Sequence, residues 1–152
     1  MMKLRPHHLI DIVTSFGHGQ AFTPHPYGHA LHTVAQAVLG DLTIEVEFVI
    51  AADDICRPCM HLRPDGRCDD VRKNTNPPES KQAYNDAMDR RILDYLGMKP
   101  GQWMTAGDFL RQVDSRTPGI VGVLTSDEKV RVSRQEGWTK GLTKLGIRKR
   151  GG

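Results

Sequence analysis

The residues best suited to chemistry are three cysteines in one short run of the 152-residue chain, Asp-Asp-Ile-Cys-Arg-Pro-Cys-Met-His-Leu-Arg-Pro-Asp-Gly-Arg-Cys. Cys56 and Cys59 are spaced C-x2-C, so both thiols can reach one metal centre from a single tight turn. Cys68 follows after a loop that contains a glycine. Because three cysteines cannot all pair as disulfides within the chain, this run predicts ligation of a metal.

Three thiolates leave a four-ligand site one ligand short, and the residue types alone leave the fourth ligand open. The candidates are His61 within the run and His7, His8 and Asp11 near the N-terminus. Two kinds of centre take four ligands of this sort. Zinc often binds three cysteines and one histidine, and a cubane iron–sulfur cluster often uses a C-x2-C pair among its four ligands. His61 is only two residues from Cys59, too close for easy chelation of the same ion, and this favours a cluster over zinc.

Three further segments extend the pattern. They are Leu-Arg-Pro-His-His-Leu-Ile-Asp at 4–11, Asp-Asp-Ile-Cys at 53–56, and Asp-Arg-Arg-Ile-Leu at 89–93 with Leu-Gly at 96–97. In these segments the chain resembles a small prokaryotic family of unknown function whose members are described as candidate iron–sulfur binders. The resemblance covers most of residues 3–97.

The chain departs from the family at one position, where the family helix carries Cys and this sequence carries Asp11. The resemblance therefore implies a [4Fe–4S] cluster with three thiolate ligands and one carboxylate. The implied ligands are Cys56, Cys59, Cys68 and Asp11. A carboxylate is a harder and more exchangeable ligand than a thiolate, so one iron of the cluster would be labile. His7 and His8 precede Asp11 by four and three residues on one predicted helix, and they are the candidate acid/base residues beside the cluster.

Other polar residues could also take part. His25, His29 and His32 could share one helix face, as a polar surface, as a second metal site, or with one of them approaching the cluster as its fourth ligand. Arg5, near Asp11 in the sequence, and the arginines of the cysteine run could balance the negative charge of the cluster.

Hydrophobic periodicity predicts the elements that position these residues. We expect helices over 6–16, 27–39, 80–96 and 105–113, and a last helix that is capped by residues 126–128 and runs to about 145. One strand is expected over 43–50, leading into the cysteine run. Residues 72–80 are predicted to be a surface connector, and 119–124 a strand or an apolar loop. Gly137 and Gly141 count against the last helix because glycine has low helix propensity. The predicted fold is a single mostly helical α+β domain, 1–152, with a small sheet around the cysteine-rich loop.

Composition and charge limit the kinds of partner that we expect. The chain has no apolar run of the ~18 residues that span a membrane, and its N-terminus lacks the apolar core of a signal peptide. We therefore expect a cytoplasmic protein without a membrane partner. Residues 129–150 hold eight Lys or Arg and one acid, Glu136. This basic segment could contact nucleic acid, but a solvated helix face is the preferred interpretation.

The sequence thus predicts an iron–sulfur protein for electron transfer or redox sensing, with a redox partner protein or a small molecule as its partner. One alternative is a small enzyme that uses the labile iron as a Lewis acid, with His8 or His7 as acid/base. Another is a zinc-stabilised module that binds nucleic acid through its basic last helix. The sequence leaves open whether the protein is an enzyme.

Overall fold

The computed structural model of the protein describes residues 1–116 and 119–148. Its helices are α1 (Pro6–Gly17), α2 (Leu31–Gly40), α3 (Lys81–Leu96), α4 (Ala106–Asp114), α5 (Gly119–Leu124) and α6 (Glu128–Lys144). Its strands are β1 (Met2–Leu4), β2 (Glu45–Phe48), β3 (Val71–Arg72), β4 (Glu79–Ser80) and β5 (Trp103–Thr105). The predicted mostly helical α+β class is confirmed. None of the described helices is both long and apolar enough to cross a bilayer.

The main sheet has three strands in the order β1-β2-β5. β1 runs parallel to β2, with Leu4 opposite Phe48, and β5 runs antiparallel to it. Val46 and Phe48 are buried, whereas Glu45 on the other face is exposed, as the alternating pattern predicts. The ring of Phe48 stacks on that of Phe109 in α4 with centroids 4.0 Å apart. β2 is therefore the central strand of a sheet with one face in the core.

α1 and α6 pack with their backbones in direct contact, and glycine makes this contact possible. A Cβ on Gly141 would overlap the carbonyl oxygen of Val13, and one on Gly17 would overlap the carbonyl oxygen of Gly137. A Cβ on Gly137 would lie 2.7 Å from the carbonyl oxygen of Thr14. The two glycines that weaken the helix prediction are thus the residues that let α6 approach α1.

Polar caps fix the starts of three helices near the predicted positions. The hydroxyl oxygens of Ser80 and Thr105 accept the amides of Ala83 and Asp108, and the Asp127 carboxylate accepts that of Val130. Side chains of this kind satisfy backbone donors that the first helical turn leaves unpaired. These caps explain why the beginnings of α3, α4 and α6 could be predicted within one or two residues.

Three predicted segments differ from the structure. Residues 119–124 form the short helix α5 rather than a strand or loop, with Ile120, Val121 and Leu124 buried. The connector 72–80 contains part of the two-stranded hairpin of β3 and β4. α2 begins at Leu31 rather than at 27, because Gly28 has a positive φ of 76° in a turn that a helix cannot continue.

Candidate metal centre

All three cysteines line one cavity of about 200 Å³ between the cysteine loop and the starts of α1 and α3. The thiols are free and half-buried. The polar side chains that share the wall are Arg5, His8, His29, Lys81, Gln82 and Asn85. The structure therefore brings Cys56, Cys59 and Cys68 to a single site together with one of the two predicted acid/base histidines.

Tight turns fold the cysteine loop around this cavity. The amide of Cys59 donates to the carbonyl of Cys56 at 2.9 Å, which closes the C-x2-C turn. Further on, the amide of Arg63 donates to the carbonyl of Arg67 at 2.9 Å, across a turn with Gly66 at a φ of 84°. This turn returns the chain so that Cys68 faces the same cavity as the first two cysteines.

The buried carboxylate of Asp53 joins the cysteine loop to the start of α1. Its Oδ2 accepts the amide of Arg5 and the Nδ1 of His8, both at 2.7 Å. Its Oδ1 accepts the amides of Ile55 and Cys56, both at 3.1 Å. Burial by itself would raise the pKa of Asp53, but His8 and these hydrogen bonds outweigh burial and lower the pKa to about 2. Asp53 is thus ionised, and its acceptor positions are filled.

His8 consequently has a defined orientation. Because the Asp53 carboxylate can only accept, Nδ1 of His8 is the donor, and Nε2 is the ring nitrogen left for the cavity. Burial favours the neutral ring, but the charge of Asp53, helped by Asp89 and Asp11, raises the pKa of His8 overall. Ligand atoms of His8, Asp53 and Cys56 all lie within 4.8 Å of one another. Within residues 1–116 and 119–148 no other three His, Cys, Asp or Glu residues are this close.

His7 points to a second buried carboxylate, Asp89 of α3. Asp89 accepts the amide and the Nδ1 of His7 at 2.9 and 2.8 Å, and the guanidinium of Arg5 at 2.9 Å. Burial opposes ionisation of Asp89, but these donors hold its pKa below the usual range. The carboxylates of Asp53 and Asp89 both lie at the N-terminal end of α1 and accept backbone amides there. Free amides and the helix dipole favour negative charge at this end of a helix. The ring of His7 is outside the cavity wall, so the structure places only His8 at the site.

Asp11 lies away from the cysteines. Its Oδ1 accepts Nη1 of Arg134 in α6 at 2.7 Å, and its side chain is not part of the cavity wall. Arg5, expected near Asp11, pairs with Asp86 and Asp89 instead. The structure therefore does not bring Asp11 and the three thiols together, and Asp11 as a ligand stays a prediction.

The remaining histidine candidates have different surroundings. His29 lies in the cavity wall, where its Nδ1 accepts the amide of Leu31 at 3.4 Å and its ring stacks on His25. His61 is outside the wall and bonds through Nδ1 to Asp69 at 2.8 Å. Of the second histidine group, only His29 reaches the cysteine site.

The basic segment 129–150 is largely neutralised by contacts within the protein. Arg131, Arg134 and Lys140 pair with acidic side chains, and Lys144 donates to the carbonyl oxygen of Phe16 at 2.9 Å. Arg148 pairs with Asp114. Five of the six basic residues that the structure describes here therefore have internal partners, while Lys149 and Arg150 lie outside the described residues.

Sequence reasoning missed the residues that organise the site. Asp53 and Asp89 lie in two of the segments that carry the family resemblance, but the sequence assigns neither of them a role. Gln82, whose Oε1 accepts the amide of Cys68 at 2.8 Å, gave no signal because a glutamine near a helix start is common. Asp53 stands next to Asp54, and Asp89 next to Arg90 and Arg91, so neither residue differs from its polar neighbours in a way that would signal burial.

A comparison with models of protein families identifies the family to which the chain belongs. The family described as "Protein of unknown function (DUF1284)" matches residues 24–121, which is more than half of the chain. The match contains the cysteine loop, Asp53 and Asp89, but not α1 with its two histidines. No match was found among curated proteins or among solved structures. The chain therefore belongs to this family of proteins of unknown function.

Proposed function

We propose that the cavity holds an iron–sulfur cluster bound by Cys56, Cys59 and Cys68, and that the protein serves in electron transfer or redox sensing. The observation that supports this most is that one cavity of about 200 Å³ is lined by all three thiols. A bound cluster would supply one-electron chemistry. The residues of this chain would hold it and limit its contact with water.

The spacing of the thiols supports a cluster over a single zinc ion. Three thiolates on one tetrahedral zinc, with Zn–S bonds of about 2.3 Å, would lie about 3.8 Å apart. Among the residues that the structure describes, the three cysteines do not form a group with all ligand atoms within 4.8 Å. A cubane binds each thiolate through a different iron and so accommodates thiols that are further apart.

Hydrogen bonding to sulfur also supports a cluster. The amide of Asp70 donates to Sγ of Cys68 at 3.4 Å, and donors to ligand sulfurs tune the potential of iron–sulfur centres. The loop that carries the cysteines is at the surface, where Met60 between Cys59 and Cys68 is 68% exposed. A redox partner, protein or small molecule, would approach the cluster through this loop.

The two alternatives have weaker support. An enzyme that uses a labile iron as a Lewis acid would need an acid/base residue, and His8 is in place for that role whereas His7 is turned to Asp89. A zinc-stabilised nucleic-acid module would need free cations on α6, but four of its five basic residues have internal partners: Arg131, Arg134, Lys140 and Lys144.

Reconstitution under anaerobic conditions tests the proposal. Protein stripped of metal and supplied with iron and sulfide should develop the broad visible absorbance of a cubane, and Cys56→Ala, Cys59→Ala and Cys68→Ala should each lose most of it. Met60→Ala is the matched control, since Met60 lies in the same loop but is exposed. Equal absorbance in parent and cysteine variants would show that the cluster, if formed, is not at this site.

A further inference from the structure

We propose that His8 supplies the fourth ligand of the metal centre through Nε2, and that Asp53 is the buried carboxylate that orients it. This inference rests on the proposed cluster, but it concerns a different residue from the one that the family resemblance implies. It follows from the geometry at the start of α1, where the cavity wall includes His8 but not Asp11.

The Asp53–His8 pair has the form of a metal-bound histidine with its supporting carboxylate. Histidines that bind metals usually donate their other ring N–H to a carboxylate, which fixes the ring and the tautomer. Nδ1 of His8 is 2.7 Å from Oδ2 of Asp53, and His8 lines the same cavity as the three thiols. Asp53 itself accepts four donors, so it would have to give up at least one of these bonds to bind a metal. Asp53 is therefore a positioning residue and His8 the ligand.

The competing candidates each face an obstacle. Asp11 would have to leave its ion pair with Arg134, which joins α1 to α6. His29 accepts a backbone amide at Nδ1, so its proton is on Nε2 and neither nitrogen is free for a metal. His61 is held by Asp69 outside the cavity wall. Of the two histidines in the cavity wall, His8 is the one that can bind a metal without breaking a hydrogen bond.

The charge of the site favours the same ligand. Three thiolates around a [4Fe–4S]²⁺ core carry a total charge of about −1 with a neutral histidine and about −2 with a carboxylate. The site already contains the buried anion Asp53, and the two cations in its wall are paired elsewhere, Arg5 with Asp86 and Asp89, and Lys81 with Asp70. Because an uncompensated buried charge is costly, the less negative centre fits this cavity better.

Pulsed EPR of the reduced, cluster-loaded protein tests the assignment. Protein labelled with ¹⁵N-histidine should show the strong nitrogen coupling of a directly bound imidazole. His8→Ala should lose this coupling, and its iron content should fall from about four to about three per chain on oxidation. Unlabelled imidazole added to His8→Ala together with ferrous iron and a reductant should restore four irons with a ¹⁴N coupling, whereas iron and reductant without imidazole should not. Asp11→Ala and His61→Ala, the matched controls, should keep both the iron and the ¹⁵N coupling.

Asp53→Asn tests the positioning role separately. It should retain the cluster but change the nitrogen coupling and the reduction potential, because the histidine loses its anionic partner. If the parent contains a four-iron cluster without coupling to a histidine nitrogen, the assignment of His8 is overturned while the proposed function stands. If instead the parent contains no acid-labile sulfide, the proposed function fails and this inference fails with it.

Discussion

Replacing Gly141 by alanine probes the contact that holds α6 on α1. By helix propensity alone, the change should stabilise α6 by up to about 1 kcal/mol, since glycine is the poorer helix former. The structure indicates the opposite sign. The new Cβ would overlap the carbonyl oxygen of Val13 and lie 2.9 Å from Cγ1 of the same residue.

The magnitude follows from what must move. The nearest obstacle is the backbone of α1, so the clash cannot be relieved by rotating a side chain, and the two helices must separate. Overpacking of this kind typically costs about 1–3 kcal/mol. We place Gly141→Ala near the upper end, at a net loss of about 2 kcal/mol after the gain in propensity. For a chain of this size such a loss lowers Tm by roughly 4–8 °C.

Gly122→Ala in α5 is the matched control, because nothing lies within 4 Å of a Cβ built there. It should leave stability unchanged or raise it by up to about 1 kcal/mol. Urea unfolding followed by circular dichroism, with parent and variants in the same metal-loaded state, gives both values. If Gly141→Ala proves as stable as the parent, the close approach of α1 and α6 is refuted.

Two further predictions concern charges away from the cysteines. The depressed pKa of Asp89 means that its interactions with His7 and Arg5 stabilise the fold at pH values above its ordinary titration range, and that this stability is lost as the pH falls below about 4. Asp89→Asn should therefore lower stability at pH 7 and flatten the acid limb of a plot of urea midpoint against pH; an unchanged acid limb would contradict the account. Since most described cations of α6 have internal partners, the protein should show no salt-dependent binding to DNA or RNA in fluorescence anisotropy, with Lys140→Glu behaving as the parent does. Tight binding that weakens steeply with salt and with this substitution would revive the nucleic-acid hypothesis.

Local signals account for what the sequence predicted. Ser80 and Gly97 mark both ends of α3, and the structure shows the first as an N-cap and the second in the left-handed conformation at φ 70°. The alternation of Val46 and Phe48 with glutamates identified β2. In contrast, β1 and β5 have three residues each, too few for any period to be detected.

Tertiary contacts account for what the sequence missed. Gly141 lowers the helix propensity of α6, but it allows α6 to contact the backbone of α1, which is distant in the chain. The same holds at the site, where the three cysteines are close in sequence but Asp53 meets Arg5 across 48 residues and Asp89 meets His7 across 82. The spacing of ligands is local information, whereas the carboxylates that orient them are brought in only by the folded chain.

The metal and sulfide content of protein purified without oxygen tests the central claim most directly. Iron, acid-labile sulfide and zinc are measured per chain on the same sample, beside a Cys56→Ala, Cys59→Ala double variant as the control. We predict about four irons with matching sulfide and no stoichiometric zinc in the parent, and neither iron nor sulfide in the variant. One zinc per chain without sulfide would contradict the account.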